Sequence, residues 1–247
     1  MKILNLILLN SLFVIPLVST LKTVKTLPVG QPQVLVVPND SPFSKLYLEA
    51  LKNPSINPKA VQKSFEFFMK NKDELKKENL CLGTDNVKNK VKIRNQDCLI
   101  IADYTKSKLD PRLHVFKFSE NKIHTLLTAH GKGSNIKADD LKATKFSNTS
   151  GSLQTSLGFY LTDHPYSSSK NTFGPGPNNG IKLDGIECSN NNAKKRYVVM
   201  HTAKYVVDEI KDSSSIGYSE GCVTFSPTQQ KLMLSCANGA LLYNHAE

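Results

Sequence analysis

Tryptophan is absent from the 247 residues, and arginine occurs only at Arg94, Arg112 and Arg196. With guanidinium groups so scarce and the lysines scattered, the net charge of +11 does not read as a nucleic-acid surface, and that partner class is set aside. No Cys-x-x-Cys or His-x-x-x-His spacing occurs and the six histidines are dispersed, so neither a metal centre nor a cofactor is expected. No uninterrupted apolar run reaches the ~20 residues of a membrane span. Internal repeats are also lacking, which removes solenoid architectures.

What is present begins with MKILNLILLNSLFVIPLVST: a lone Lys2, no acidic residue, and an apolar run from Ile3 to Val18 broken by Asn5, Asn10 and Pro16. That layout is an export signal over residues 1–20, with an uncleaved anchor as the alternative. Export implies a periplasmic or cell-envelope location and an oxidising compartment. The cysteines, at 81, 98, 188, 222 and 236, are odd in number. Four can pair in three ways and leave one reactive thiol, or all five can be reduced and buried. For an exported basic protein, peripheral contact with an anionic wall or membrane surface is the expected electrostatic partner, against a charge that only maintains solubility. A monomer is the default.

The hydrophobic content, 39%, supplies one substantial core rather than several. Residues 21–90 read as a linker and a helical region. Ser41-Pro42 opens one helix, with Phe43, Leu46, Leu48 and Leu51 as its apolar face; Asn57-Pro58 opens another, with Val61, Phe65, Phe68 and Met69. Beyond Cys81 the pattern turns to strands, at 96–105, 112–120, 122–131, 156–163, 180–187 and 196–203, with a tight hairpin at Glu120-Asn121. Residues 165–180, dense in Ser, Asn, Gly and Pro, read as a mobile loop over a groove. Ser226-Pro227 opens a last helix, and ALLYNH returns as a strand. The fold class expected is mainly β with flanking helices, a β-sandwich or closed sheet over 91–247 preceded by the short helical region.

Chemistry concentrates in YVVMHTA (197–203) and YSEGCVTF (218–225), which set His201 and Cys222 21 positions apart. A strand delivers an imidazole and a Ser-x-Gly-Cys turn delivers a thiol. Gly221 permits the close backbone approach that exposes the sulfur and aims amide hydrogens at an oxyanion. A papain-like protease would place its cysteine before its histidine, the reverse of the order here. Together with TAHGKGS (128–134), TKFSNTSGSLQTSLGFYLT (144–162), IKLDGIE (181–187) and NNAKKRYVVMHTA (191–203), these segments resemble, in order and spacing, the YkuD-type L,D-transpeptidase catalytic domain of the murein branch. The family's Ser-His-Gly-Cys is Ser219-Glu220-Gly221-Cys222 here, and an arginine often found shortly after the cysteine is missing.

The resemblance implies a β-sandwich catalytic domain acting on peptidoglycan peptide stems. Cys222 would attack the L-centre carbonyl of the position-three diamino acid and release D-alanine. His201 would be the base, the Thr202 carbonyl would orient it, and the amides of Glu220, Gly221 and Cys222 would form the oxyanion hole. The acyl group would pass to an amine as a 3-3 cross-link, or to water as in an L,D-carboxypeptidase; a non-catalytic wall-binding module on the same fold is the competing class. His130, Tyr160, Tyr218 and Ser219 are the secondary, substrate-binding candidates. His130 and the two tyrosines would line the groove or merely pack, and Ser219 would shape the turn rather than attack. Asp184 and Glu187 are read as charge-paired or solvated rather than as a catalytic acid pair.

Overall fold

The computed structural model describes residues 41–75, 80–81, 92–137 and 140–247; the expected export signal and the 21–40 linker lie outside them. Among the described residues no helix is long and apolar enough to cross a membrane.

Two capped helices open the described chain. In α1 (Pro42–Lys52) the Ser41 hydroxyl accepts the Ser44 amide at 3.1 Å, and in α2 (Pro58–Asn71) the Asn57 side chain accepts those of Lys59 and Ala60. Each proline sits where its missing N–H costs nothing. The faces differ slightly from expectation: Tyr47 and Ala50 are buried in α1, whereas Leu48 points outward, 45% exposed. In α2, Ala60, Val61, Phe65 and Phe68 face inward.

The strands are β1 (Cys98–Asp103), β2 (Leu113–Lys117), β3 (Lys122–Leu126), β4 (Gly158–Tyr166), β5 (Gly180–Gly185), β6 (Val199–Thr202), β7 (Val223–Phe225) and β8 (Leu241–His245), with a short helix α3 (Gln230–Ser235) before the last. They form one eight-stranded sheet in the order β3-β2-β1-β8-β4-β5-β6-β7, antiparallel except for β1–β8 and β6–β7. The β2–β3 hairpin turns at Asn121, whose φ of 49° suits an asparagine. Strand β4 runs through Pro165 by a register shift between Thr162 and Pro165, the setting in which a sheet tolerates proline.

Strand β1 shows how two cores arise, since all six of its residues are buried. Its alternation sends Cys98, Ile100 and Ala102 to one face and Leu99 and Ile101 to the other. The first core also takes Leu113 and Val115 from β2 and Val223 and Phe225 from β7. Those strands lie near opposite ends of the sheet, so it curls on itself into a sandwich-like, nearly closed form. The second core is the sheet's outer face under α1 and α2, where Phe43, Phe65, Phe68, Phe116 and Phe118 pack with centroids 4.6 to 6.3 Å apart. Burying such a ring contributes ~2 to 3 kcal/mol. A division near residue 90 therefore separates no independent body: helices and sheet belong to one compact unit, because α2 completes the core of β1 and β8.

Two disulfides, Cys81–Cys188 and Cys98–Cys236, fix the pairing that sequence left open, and Cys222 alone remains a free thiol.

Candidate active site

Strands β6 and β7 pair in parallel, with Met200 opposite Val223 and His201 opposite Thr224. Met200 and Val223 point into the first core, so His201 and Thr224 point to the other face. Carrying the register back one residue sets Cys222 beside Val199, whose backbone N–H is directed at the sulfur. The thiol and the imidazole thus share a face, one diagonal step apart.

The imidazole is held through Nδ1, which donates to the Thr202 carbonyl at 2.7 Å. That bond fixes the tautomer with a bare Nε2, the form able to accept a proton. Burial lowers the His201 pKa to about 4, against the favourable Thr202 bond, and Lys170 lowers it further. Burial also pushes the Cys222 thiol above its ordinary value, opposed by the Val199 amide and by the charges of Lys170 and Arg196. Both shifts favour the uncharged forms, a thiol and a neutral imidazole, over a thiolate and an imidazolium.

The cysteine turn is tightly built. Gly221 adopts φ 109°, and a Cβ there would meet the Gln154 carbonyl oxygen at 2.6 Å, so glycine is required. The Ser219 hydroxyl accepts the Gly221 amide at 3.1 Å and donates to the Cys222 carbonyl at 2.8 Å, the turn-shaping part expected of it. The Gly221 N–H is consequently engaged within the turn. Lys132 pairs with Glu220 across the rim at 3.0 Å, and the thiol faces the Tyr197 carbonyl at 3.9 Å.

The secondary candidates land differently. Tyr160 is fully buried in the first core, its hydroxyl bonded to Ser156, and cannot line an open groove. His130 is also fully buried: its Nδ1 accepts from Arg112, its Nε2–H donates to Asn135, and its carbonyl accepts the Ser219 amide at 2.9 Å. It supports the cysteine turn from behind rather than facing substrate. Tyr218 lies edge-on to His130 and donates to the Asp140 carbonyl. Asp184 pairs with Lys194, and Glu187 accepts the Phe159 amide, which removes both from the chemistry. Among the described residues no cluster of three or more His, Cys, Asp or Glu side chains is placed to hold a metal ion.

Three groups at the site escaped the sequence reading. Phe173 lies flat on His201, with ring centroids 4.0 Å apart and planes 11° apart. Arg196, half-buried, donates to Ser147, Ser152, Gln154 and Ser156, bracing the floor on which Gly221 rests. Tyr197, at φ 55° and 82% exposed, stands beside the sulfur. The only signal for Arg196 was arginine's rarity, and nothing local marked the other two. The 165–180 segment is also no loose loop, because the Asn179 amide bonds to both the backbone N–H and the carbonyl of Ser168 and to the Gly174 carbonyl.

A family model described as the L,D-transpeptidase catalytic domain matches residues 68–245. The chain belongs to that family. Similar solved structures include an L,D-transpeptidase from Mycobacterium smegmatis (13% identity, TM-score 0.32, covering 61% of this chain and 59% of that one). Another is the K307A mutant of the helical cell shape determining protein Pgp2 from Campylobacter jejuni (12%, 0.38, 85% and 57%). A third is an L,D-transpeptidase from Stackebrandtia nassauensis (13%, 0.33, 82% and 76%). The chain thus spans under two thirds of the length of the first two. No curated protein matches it. The family match starts within α2, so α1 lies outside the matched region although it shares the α2 core.

Proposed function

We propose that this L,D-transpeptidase-family domain is a peptidoglycan-modifying cysteine acyltransferase of the cell envelope, with Cys222 as nucleophile and His201 as base. The observation that carries the reading is the β6–β7 register, which sets the one unbridged thiol on the same face as an imidazole whose Nδ1–H is committed to the Thr202 carbonyl. Four of the five cysteines are closed in bridges, as suits an exported protein.

The reaction begins with a thiol and a neutral imidazole. As the sulfur attacks the L-centre carbonyl carbon of the third stem residue, its proton passes to His201 Nε2, so the thiolate forms only along the reaction path. The amides of Glu220 and Cys222 receive the developing oxyanion, at ~3 kcal/mol for each well-aimed donor; the Gly221 amide serves the turn instead. Collapse breaks the C–N bond to D-alanine, whose amine takes the proton from Nε2, and a thioester remains on Cys222. An amine of a second stem then attacks the thioester, giving a 3-3 cross-link and returning the thiol. The basic character of the chain, a net +11 over the full sequence, draws it to an anionic envelope.

The test is mass spectrometry of disaccharide-tetrapeptides incubated with the protein and with Cys222→Ala. The wild type yields free D-alanine and dimers joined 3-3, and the variant yields neither. Tripeptide without dimers would reassign the acceptor to water, and identical products from the variant would end the proposal.

A further inference from the structure

We propose that Phe173 is a positioning residue for His201: the strap between β4 and β5 lays the phenyl ring on the imidazole and fixes the plane in which Nε2 meets the thiol. The inference rests on the acyl-transfer reading for its consequence, but concerns only how the imidazole is held.

One hydrogen bond through Nδ1 holds the Nδ1–H tautomer only while the ring stays in line with the Thr202 carbonyl; a ring free to tilt weakens that bond and lets the proton populate Nε2 as well. A flat contact at 4.0 Å and 11° removes the tilt, because the ring cannot leave its plane without striking the phenyl face. The phenyl is itself held by a bonded frame. Phe173 pairs across an isolated antiparallel bridge with Ala203, two residues beyond His201. The next residue, Gly174, donates its amide at 2.9 Å to the Thr202 carbonyl, the same oxygen that takes the imidazole N–H. A Cβ on Gly174 would meet Thr202 Oγ1 at 2.6 Å, so the strap approaches this closely only with glycine. Asn179, buried, closes the frame: its amide ties both ends of the strap, and its carbonyl accepts the Thr202 N–H at 2.9 Å. On its other side Phe173 meets Tyr166 edge-on, at 6.2 Å between centroids.

The arrangement exceeds what packing alone requires. An aliphatic side chain would exclude water equally, but only an aromatic face lies flat on an imidazole and also receives the positive charge the ring takes up when it accepts a proton. Lys170, three residues earlier on the same turn, bears on the charge of this ring, and Tyr166 meets the phenyl edge-on; neither lies flat on the imidazole.

The experiment compares the full chain with Phe173→Leu and Phe173→Tyr, reading kcat and KM for D-alanine release and the ring nitrogen shifts of His201 by NMR. Leucine keeps bulk and removes the flat face; tyrosine keeps both. For F173L, kcat should fall roughly ten- to a hundredfold with KM changed less than about threefold, and the His201 nitrogens should report mixed tautomers instead of Nδ1–H alone. F173Y should restore kcat to within about threefold and the single tautomer. Unchanged kcat and a single tautomer in folded F173L would overturn the assignment, as would an F173Y that falls as far as F173L. If the wild type releases no D-alanine, the catalytic proposal fails, while the tautomer readout still decides the role of Phe173.

Discussion

The resting charge state of the site makes a quantitative prediction for alkylation of Cys222 by a small neutral reagent such as iodoacetamide. Only the thiolate reacts at an appreciable rate. Burial holds the sulfur above its ordinary value, so the thiolate is the minor form at pH 7 and its fraction changes about tenfold with each pH unit. No imidazolium stabilises it, because burial holds His201 at about 4 and the ring is neutral from pH 5 to 9. The alkylation rate should therefore climb about tenfold per unit from pH 6 to pH 9, with no plateau below 8. Charge removal at Lys170→Met should displace the curve upward in pH, since that ammonium favours the thiolate. The assay is a stopped time course with mass mapping of the modified cysteine. A flat rate between pH 5 and 8, the mark of a standing thiolate–imidazolium pair, would refute the account of a proton that moves only during attack.

Acid should unfold the domain early. His114, His130 and His201 are buried, desolvation holds them at about 3, 4 and 4, and an unfolded histidine titrates near 6.5. The unfolded chain then binds more protons between those values, so the stability from each neutral ring is full above pH 6.5 and is lost as pH falls toward 4, at about 3 kcal/mol or more apiece; denaturant midpoints flat from pH 7 to 4 would contradict this. Replacing Cys98 and Cys236 together by serine removes a bridge spanning 138 positions between fully buried ends. About 4 to 5 kcal/mol of stability should go with it, read as a Tm lower by roughly 10 to 20 °C, and an unchanged Tm would show the bridge to be dispensable. Gly221→Ala forces a Cβ against the Gln154 carbonyl at φ 109°, so D-alanine release should fall about a hundredfold or more with the fold retained by circular dichroism. A fully active alanine variant would show that the turn is not the rigid support described.

What the sequence disclosed was chemistry that acts within a few residues. Ser41-Pro42 and Asn57-Pro58 start helices because a cap and a proline act locally, and Ser-x-Gly-Cys marks a turn because only glycine accepts its geometry. For Tyr160 the choice between lining the groove and packing stayed open in the sequence because the first five residues of β4 are all buried, so alternation no longer tells a groove face from a core face. The 165–180 segment has the composition of a loose loop, yet one asparagine side chain closes it, and no compositional rule detects three hydrogen bonds from a single amide. Phe173 reaches His201 only because the strap folds back onto β6, and Arg196 serves Gly221 through residues more than forty positions away. Such contacts are products of topology, which local pattern does not carry.

The most direct measurement is the intact mass of the protein mixed with a tetrapeptide stem, followed by digestion to locate the adduct. A mass increase equal to the stem less D-alanine, carried on Cys222 and absent from Cys222→Ala, is the predicted result. An acyl group on any other residue, or D-alanine released while Cys222 never carries one, would contradict the assignment of the nucleophile.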